Sequence, residues 1–307
     1  YCFTHLTFGP APSPFFSNLV LLTHAERFKN EYPIASELIF SKIFVDDLMA
    51  SLPSVHEAKL AVAQINELCD KASMKMVKWN SNSKEVLASI DPERRSKESV
   101  DFYGTEILGS DHQVLSTLGL KYDPIADHFM FATPDYSPIL SKSRLTKRHF
   151  SSGLAKLFDI LGLISPVIVY VKILFQTLWE DQSISWDDII PVETESKFRH
   201  WAKDMTENVH KFQVPRYFEN FDKVEAINYL IGFTDSSPKC MGCVLYLRTE
   251  YKGKISVSLL GSRSKLVGIQ NKHSIARLEL RAMVLLTDYL HMFAQILSIP
   301  LSRTYLY

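Results

Sequence analysis

Between Leu38 and Leu52 the chain is mostly apolar, and two adjacent aspartates, Asp46 and Asp47, stand in the middle of the run. Ile43, Phe44 and Val45 precede them, and Leu48 and Met49 follow. The pattern predicts two short strands joined by an acidic turn. Two like charges side by side repel unless something neutralises them, and a tight turn prefers Asp with Gly or Asn. A solvent-exposed acidic turn fits the pattern. So does a pair of ligands for a divalent metal, because carboxylate oxygens suit Mg2+. The rest of the chain has to decide between them.

A length of 307 residues allows about two domains of ordinary size. With 46% hydrophobic and 22% charged residues the chain can bury real cores, so disorder is not the default reading. Lys+Arg and Asp+Glu balance at 34 each, so net charge supplies no attraction to nucleic acid. Charge is clustered locally at Lys142, Arg144, Lys147, Arg148 and His149, which reads as a solvated helix face or linker. Of the four cysteines only Cys240 and Cys243 have CxxC spacing; with no second pair to complete a zinc site, they read as small core residues. A reducing, intracellular setting, cytoplasmic or nuclear, is the matching expectation. The longest apolar stretch, Leu161 to Trp179, is interrupted by Pro166, Lys172 and Gln176, so a buried helix is expected and no membrane partner. Both ends, Tyr1-Cys2-Phe3 and Tyr305-Leu306-Tyr307, read as cut through structural elements.

Ser13-Pro14 and Ser165-Pro166 read as N-caps followed by Pro at the first helical position. Ser54 and Glu57 have capping-box spacing, ahead of Ala58, Ala61, Val62, Ile65, Leu68 and Cys69 at helical intervals. Short apolar runs broken by Gly, Asp and Pro predict strands between Val100 and Pro134. Helices are expected from Ser151 to about Arg216. Three strands follow, over Ala226–Asp235, Met241–Arg248 and Ile255–Leu260, then a long helix from Ile275 to Leu297 and the start of a fourth strand at Arg303.

Phe44-Val45-Asp46-Asp47 resembles the aromatic-x-Asp-Asp hairpin of reverse transcriptases. Upstream, Leu6 to Phe15 resembles their Phe-Gly-x-x-x-Ser-Pro segment, and downstream Lys78-Trp79-Asn80-Ser81-Asn82 with Glu85-Val86-Leu87 resembles a stretch particular to the Bel/Pao class of retrotransposons. Thr117 to Asp123 is similar to that family's Leu-Gly-x-x-Trp-Asp segment, with Tyr122 in place of Trp. Leu157 to Pro166 is similar to its Phe-Asp-Pro-Leu-Gly stretch, with Ile160 in place of Pro. The resemblance implies that Asp46 and Asp47 hold metal, that Phe8, Gly9, Ser13 and Pro14 lie near the incoming nucleotide and template, and that Lys78 protonates departing pyrophosphate. A lysine ending a strand, exposed to solvent, is the plainer account of Lys78.

A second acidic pair comes late. Asp235 ends an expected strand and Glu279 is expected in the first turn of the long helix. Taken singly, they read as a turn-former and a charge favoured by the helix dipole. Together the order strand with Asp, two strands, helix with Glu resembles RNase H, in which such carboxylates hold paired Mg2+ or Mn2+ ions. Phe233-Thr-Asp-Ser-Ser, Gly242 to Tyr246 and Ile275 to Leu280 carry that likeness. An aspartic peptidase, a label also given to this region in the family, needs Asp-Thr/Ser-Gly loops; Asp235-Ser236-Ser237 lacks the Gly and has no second copy.

The fold implied is α+β and multidomain: a partial reverse-transcriptase palm (1–90), a strand-rich connector (91–150), a helical thumb-like region (151–222) and a truncated RNase H-like domain (223–307). The parent activity implied is RNA-directed DNA synthesis with RNA cleavage. Its partners would be an RNA template, a DNA primer, an RNA–DNA hybrid and the rest of a polyprotein. With further acidic ligands expected outside both ends, this piece is expected to be inactive alone. The alternative is a decayed or host-retained remnant that acts as a nucleic-acid or protein binding module.

Overall fold

The computed structural model describes residues 9–44, 47–96, 115–117 (backbone), 120–123, 126–270 and 273–307. The chain divides into two compact units, 1–113 and 114–307.

In the first unit, α1 (Ser13–Arg27), α2 (Pro33–Lys42) and α3 (Val55–Lys71) enclose one core. Leu21, Ala25, Ala35, Leu38 and Ile39 meet Ala61, Ile65, Leu68 and Cys69 there. The α3 stripe is the one expected, and Ser54 caps it by accepting from the Glu57 N–H at 3.2 Å. Such a cap satisfies one of the four orphan donors of a helix start. A short α4 (Lys84–Ala88) adds Val86 and Leu87.

Two local expectations are corrected here. Leu38 to Lys42 are helical, because Pro33 starts α2 and its apolar residues bury on one helical side; only β1 (Ile43–Phe44) and β2 (Asp47–Leu48) are extended. Ser13 is the first helical residue and Pro12 the cap, and Ile164 likewise precedes helical Ser165. Proline is tolerated one position further in, since the N–H groups of the first turn lack helical acceptors anyway.

The second unit has two four-stranded sheets. The first, in order β3 (Leu115–Thr117), β4 (Leu120–Asp123), β5 (His128–Phe131), β6 (Gln213–Pro215), is antiparallel throughout. Between β5 and β6 run α5 (Ser137–Leu140), α6 (Lys147–Leu154), α7 (Ser165–Thr177) and α8 (Val192–Asn208). Their core is aromatic: Phe131, Tyr136, Phe150, Phe198 and Trp201 are buried with Leu145, Val171 and Ile190.

In the basic run at 142–149, Lys142, Arg144 and Arg148 are exposed, as a solvated face or linker requires, and Lys147 departs from it. Lys147 is 2% exposed, donates to the Ile184 carbonyl and lies 4.5 Å from the Trp179 ring centre. Glu195 is buried and accepts from Arg144, Arg199 and the Leu145 N–H. Arg148 grips Asp187 with both nitrogens at 2.8 and 2.9 Å. Only Lys147 is withdrawn from water; Arg144 reaches buried Glu195 from an exposed position, and the Arg148–Asp187 pair lies at the surface. Among the described residues no helix is long and apolar enough to cross a membrane.

The second sheet is ordered β10-β7-β8-β9, with β7 (Ile227–Ser236), β8 (Cys240–Tyr251), β9 (Lys254–Leu266) and, after α9 (Ile275–Ile296), β10 (Thr304–Leu306). β10 is parallel to β7 and the other pairs are antiparallel. Leu230, Leu245 and Leu247 alternate toward α9, where they pack on Leu286 and Leu290. A bulge between Leu245 and Tyr246 brings Gly261 of β9 beside the loop that precedes α7.

That junction allows no side chain. A Cβ on Gly162 (φ +72°) would stand 1.8 Å from the Ser262 carbonyl oxygen, and one on Gly261 would stand 2.3 Å from that of Leu161. The Leu161 carbonyl accepts from Ser262 N at 3.0 Å and from the Tyr289 hydroxyl at 3.2 Å. Further along, Gln176 donates to the Val267 carbonyl at 2.7 Å. α7 is thereby fastened along β9.

Candidate functional site

β9 and β10 both run parallel to β7, so α9, which links them, runs antiparallel to it. Strand and helix touch at Gly232, where a Cβ would meet a Leu286 methyl at 2.7 Å. From that contact Asp235 lies three residues on along the strand, about 10 Å. Glu279 lies seven residues back along the helix, also about 10 Å and on the same stripe as Leu286. Opposite chain directions therefore bring Asp235 and Glu279 to one end of the sheet.

Both carboxylates are exposed. Asp235 pairs across from Gly242 and accepts the Ser236 N–H at 2.7 Å. It has the parity of Tyr229, Ile231 and Phe233, the side of β7 away from α9, so the two acids bracket the strand end from its two sides. Ser236 Oγ is buried beside Asp235 and has no hydrogen-bond partner among the described residues. Glu279 is the fifth residue of α9 rather than part of its first turn, which holds no acid. A site of two exposed carboxylates with a hydroxyl nearby offers only oxygen donors, which suit a hard cation such as Mg2+. Among the described residues no third His, Cys, Asp or Glu joins them.

In the first unit, Asp47 is exposed in β2 opposite Phe44, and Asp46 lies outside the described residues, as does Phe8. Gly9 has φ +103° with nothing within 4 Å of a Cβ, so its backbone angle rather than crowding calls for glycine. Ser13 is buried at the first position of α1, and Pro14 is exposed at the second. Lys78 is exposed in a left-handed conformation, φ +62°, uncommon for a lysine. Among the described residues no ion pair joins it to Asp47.

Cys240 and Cys243 sit three residues apart on β8 and face opposite sides of the sheet. Cys243 is packed in the core under α9, where burial pushes its thiol up, and Cys240 contacts Ser237. The pair cannot share a metal. Sequence reasoning also missed how Asp159 acts. Its carboxylate accepts from Leu163 N and Ile164 N at 2.8 and 2.9 Å, and burial pushes its carboxyl up against the lowering effect of those bonds. The Asp-x-x-Gly spacing of Asp159 and Gly162 was the available signal, since it marks a capped turn.

The profile of one protein family, described as a Pao retrotransposon-like RNaseH-like domain, matches residues 146–307, more than half of the chain. The chain belongs to this Pao retrotransposon family. Asp235 and Glu279 fall inside the matched stretch, which begins at Thr146, the cap of α6. Two solved structures are similar to the Pao chain. One is a foamy viral protease-reverse transcriptase dRH in complex with double-stranded DNA (13% identity, TM-score 0.48, 95% of this chain and 44% of that one). The other is a foamy viral protease-reverse transcriptase in complex with double-stranded DNA (14% identity, TM-score 0.44, 96% and 49%). The Pao chain thus spans less than half the length of either. No curated protein matches it.

Proposed function

We propose that the chain carries parts of two phosphoryl-transfer sites of a Pol polyprotein, a reverse-transcriptase hairpin at Asp46 and Asp47 and an RNase H site at Asp235 and Glu279. The observation that carries this reading is the convergence of Asp235 and Glu279 at one end of β7, inside a stretch that matches an RNase H-like family. The ligand is an RNA–DNA hybrid, and in the parent protein an RNA template and a DNA primer as well. Asp235 and Glu279, and in the other site Asp46 and Asp47, would hold Mg2+ or Mn2+, which would supply charge stabilisation for phosphoryl transfer. Asp235 and Glu279 orient their oxygens from the two sides of the strand end, and the packed Gly232–Leu286 contact keeps that spacing. In the first unit, Asp47 projects from a hairpin, Gly9 keeps a backbone free of a side chain, and Lys78 is a proton donor toward departing pyrophosphate.

Two carboxylates are a minimal ligand set. The chain by itself is therefore inactive in both reactions. Incubation with Mg2+ and a labelled hybrid, and separately with a primed template and nucleotides, tests this. The expected result is neither cleavage nor extension above a blank. Extension or cleavage that survives Asp47→Asn or Asp235→Asn would contradict the assignment of these acids.

A further inference from the structure

One flank of α9 gathers positive charge that no ion pair among the described residues answers. Arg263 of β9 lies against it, its guanidinium 4.4 Å from the Tyr289 ring centre and 3.9 Å from the Met292 sulfur. Arg281 precedes Met292 by eleven residues, three helical turns on the same stripe, and Arg277 continues the row one turn earlier. Lys265 shares the helix-facing side of β9 with Arg263. Its cross-strand partner Met241 packs with Val267, Leu278 and Ala282, which sets Lys265 beside the first turns of α9. All four cations are exposed, and none takes part in the ion pairs found among the described residues.

Arg277 stands in the first turn of α9, where the helix dipole favours an acid, yet the turn has none and Ser274 adds no side-chain cap. The first acid along the row is Asp288, two turns beyond Arg281. Glu279 lies roughly 200° around the helix from Arg281. In a chain whose 34 cations equal its 34 anions, such a concentration is local and specific.

We propose that Arg263, Lys265, Arg277 and Arg281 form a phosphate-binding surface for a nucleic-acid backbone, seated along α9 on the flank away from Glu279. The inference rests on the reading that the ligand of this unit is an RNA–DNA hybrid. Guanidinium groups suit phosphate oxygens bidentately, and contacts to backbone phosphates position a duplex without reading its sequence.

The test is the salt dependence of binding, measured on the full chain with a fluorescent RNA–DNA hybrid and EDTA present, so that metal plays no part. Each phosphate contact contributes a slope of about 0.9 in log affinity against log salt. Lys265→Gln with Arg281→Gln lowers the slope by about two units, while Lys252→Gln with Lys254→Gln, at the opposite end of β9, leaves it unchanged. An unchanged slope in the flank variant, an equal fall in the far-end variant, or no binding by the unaltered chain overturns the proposal. Circular dichroism confirms that each variant is folded. Asp235→Asn with Glu279→Gln, assayed for Mn2+ binding, separates the two ideas: failure of the acid site leaves the salt slope as it was, and failure of the flank leaves Mn2+ binding as it was.

Discussion

The two acidic sites sit on very different supports. Asp47 belongs to a two-residue strand paired, among the described residues, with β1 alone, and its neighbours Phe44 and Met49 are 51% and 40% exposed. Asp235 is the ninth residue of a ten-residue strand inside a four-stranded sheet, backed by the 22-residue helix that carries Glu279. A short motif names a family, but a metal site needs its oxygens held to within a fraction of an ångström. In the second unit glycine-tight contacts hold the elements together, at Gly232 between β7 and α9 and at Gly162 and Gly261 between β9 and the loop before α7.

If the contrast is right, the largest effect comes from closing the Gly162 junction. Gly162→Ala puts a methyl against the Ser262 backbone at a positive φ, and should cost about 3 kcal/mol or more in denaturant unfolding of the 114–307 unit. A variant of ordinary stability would show that the junction is loose. Glu195→Gln comes next, at about 3 kcal/mol, because the amide loses the charge, keeps one acceptor oxygen and turns an NH2 donor toward either Arg144 or Arg199.

The same carboxylate adds a pH signature. Burial pushes Glu195 up, but the bonds from Arg144, Arg199 and the Leu145 N–H outweigh it and hold the carboxyl below its ordinary 4.5. Its stabilisation is therefore present above pH 4.5 and lost as pH falls through the folded value. Thermal melts from pH 6 down to about 3 should show an acid-side decline that Glu195→Gln flattens.

Gly232→Ala is smaller, about 1–2 kcal/mol, since the flexible Leu286 methyls can give way. It should also weaken metal binding by moving α9 off β7, and a change in stability alone would mean that this contact does not set the acids. Ser54→Ala should cost about 1 kcal/mol, confined to the first unit. Asp47→Asn should change stability by less than about 0.5 kcal/mol, as expected for an exposed side chain. A larger loss would show that the hairpin is better supported than its contacts imply.

Periodicity made much of this fold legible. The α3 stripe, the alternation in β7 to β9 and the 22-residue α9 all stand where apolar spacing places them. The run from Leu38 misled because a mostly apolar stretch carries no clear period that separates strand from helix. The basic run was readable in part: Lys142, Arg144 and Arg148 are exposed as expected, but the partners of Arg144 and Arg148 lie about 40 to 50 residues away, at Glu195 and Asp187, and no local pattern announces them. For the site, the residue types and their order were readable. That Asp235 and Glu279 share one end of the sheet depends on chain direction, and Gly232 gave no local sign that it is the point of contact.

The central claim is that Asp235 and Glu279 act as one cation site. Mn2+ affinity measured by water-proton relaxation on the full chain, in a cycle of Asp235→Asn, Glu279→Gln and the double variant, tests it directly. The expected result is that each single change removes most of the binding and the double change removes little more. Unaltered affinity in both single variants, or two losses that simply add, would contradict it.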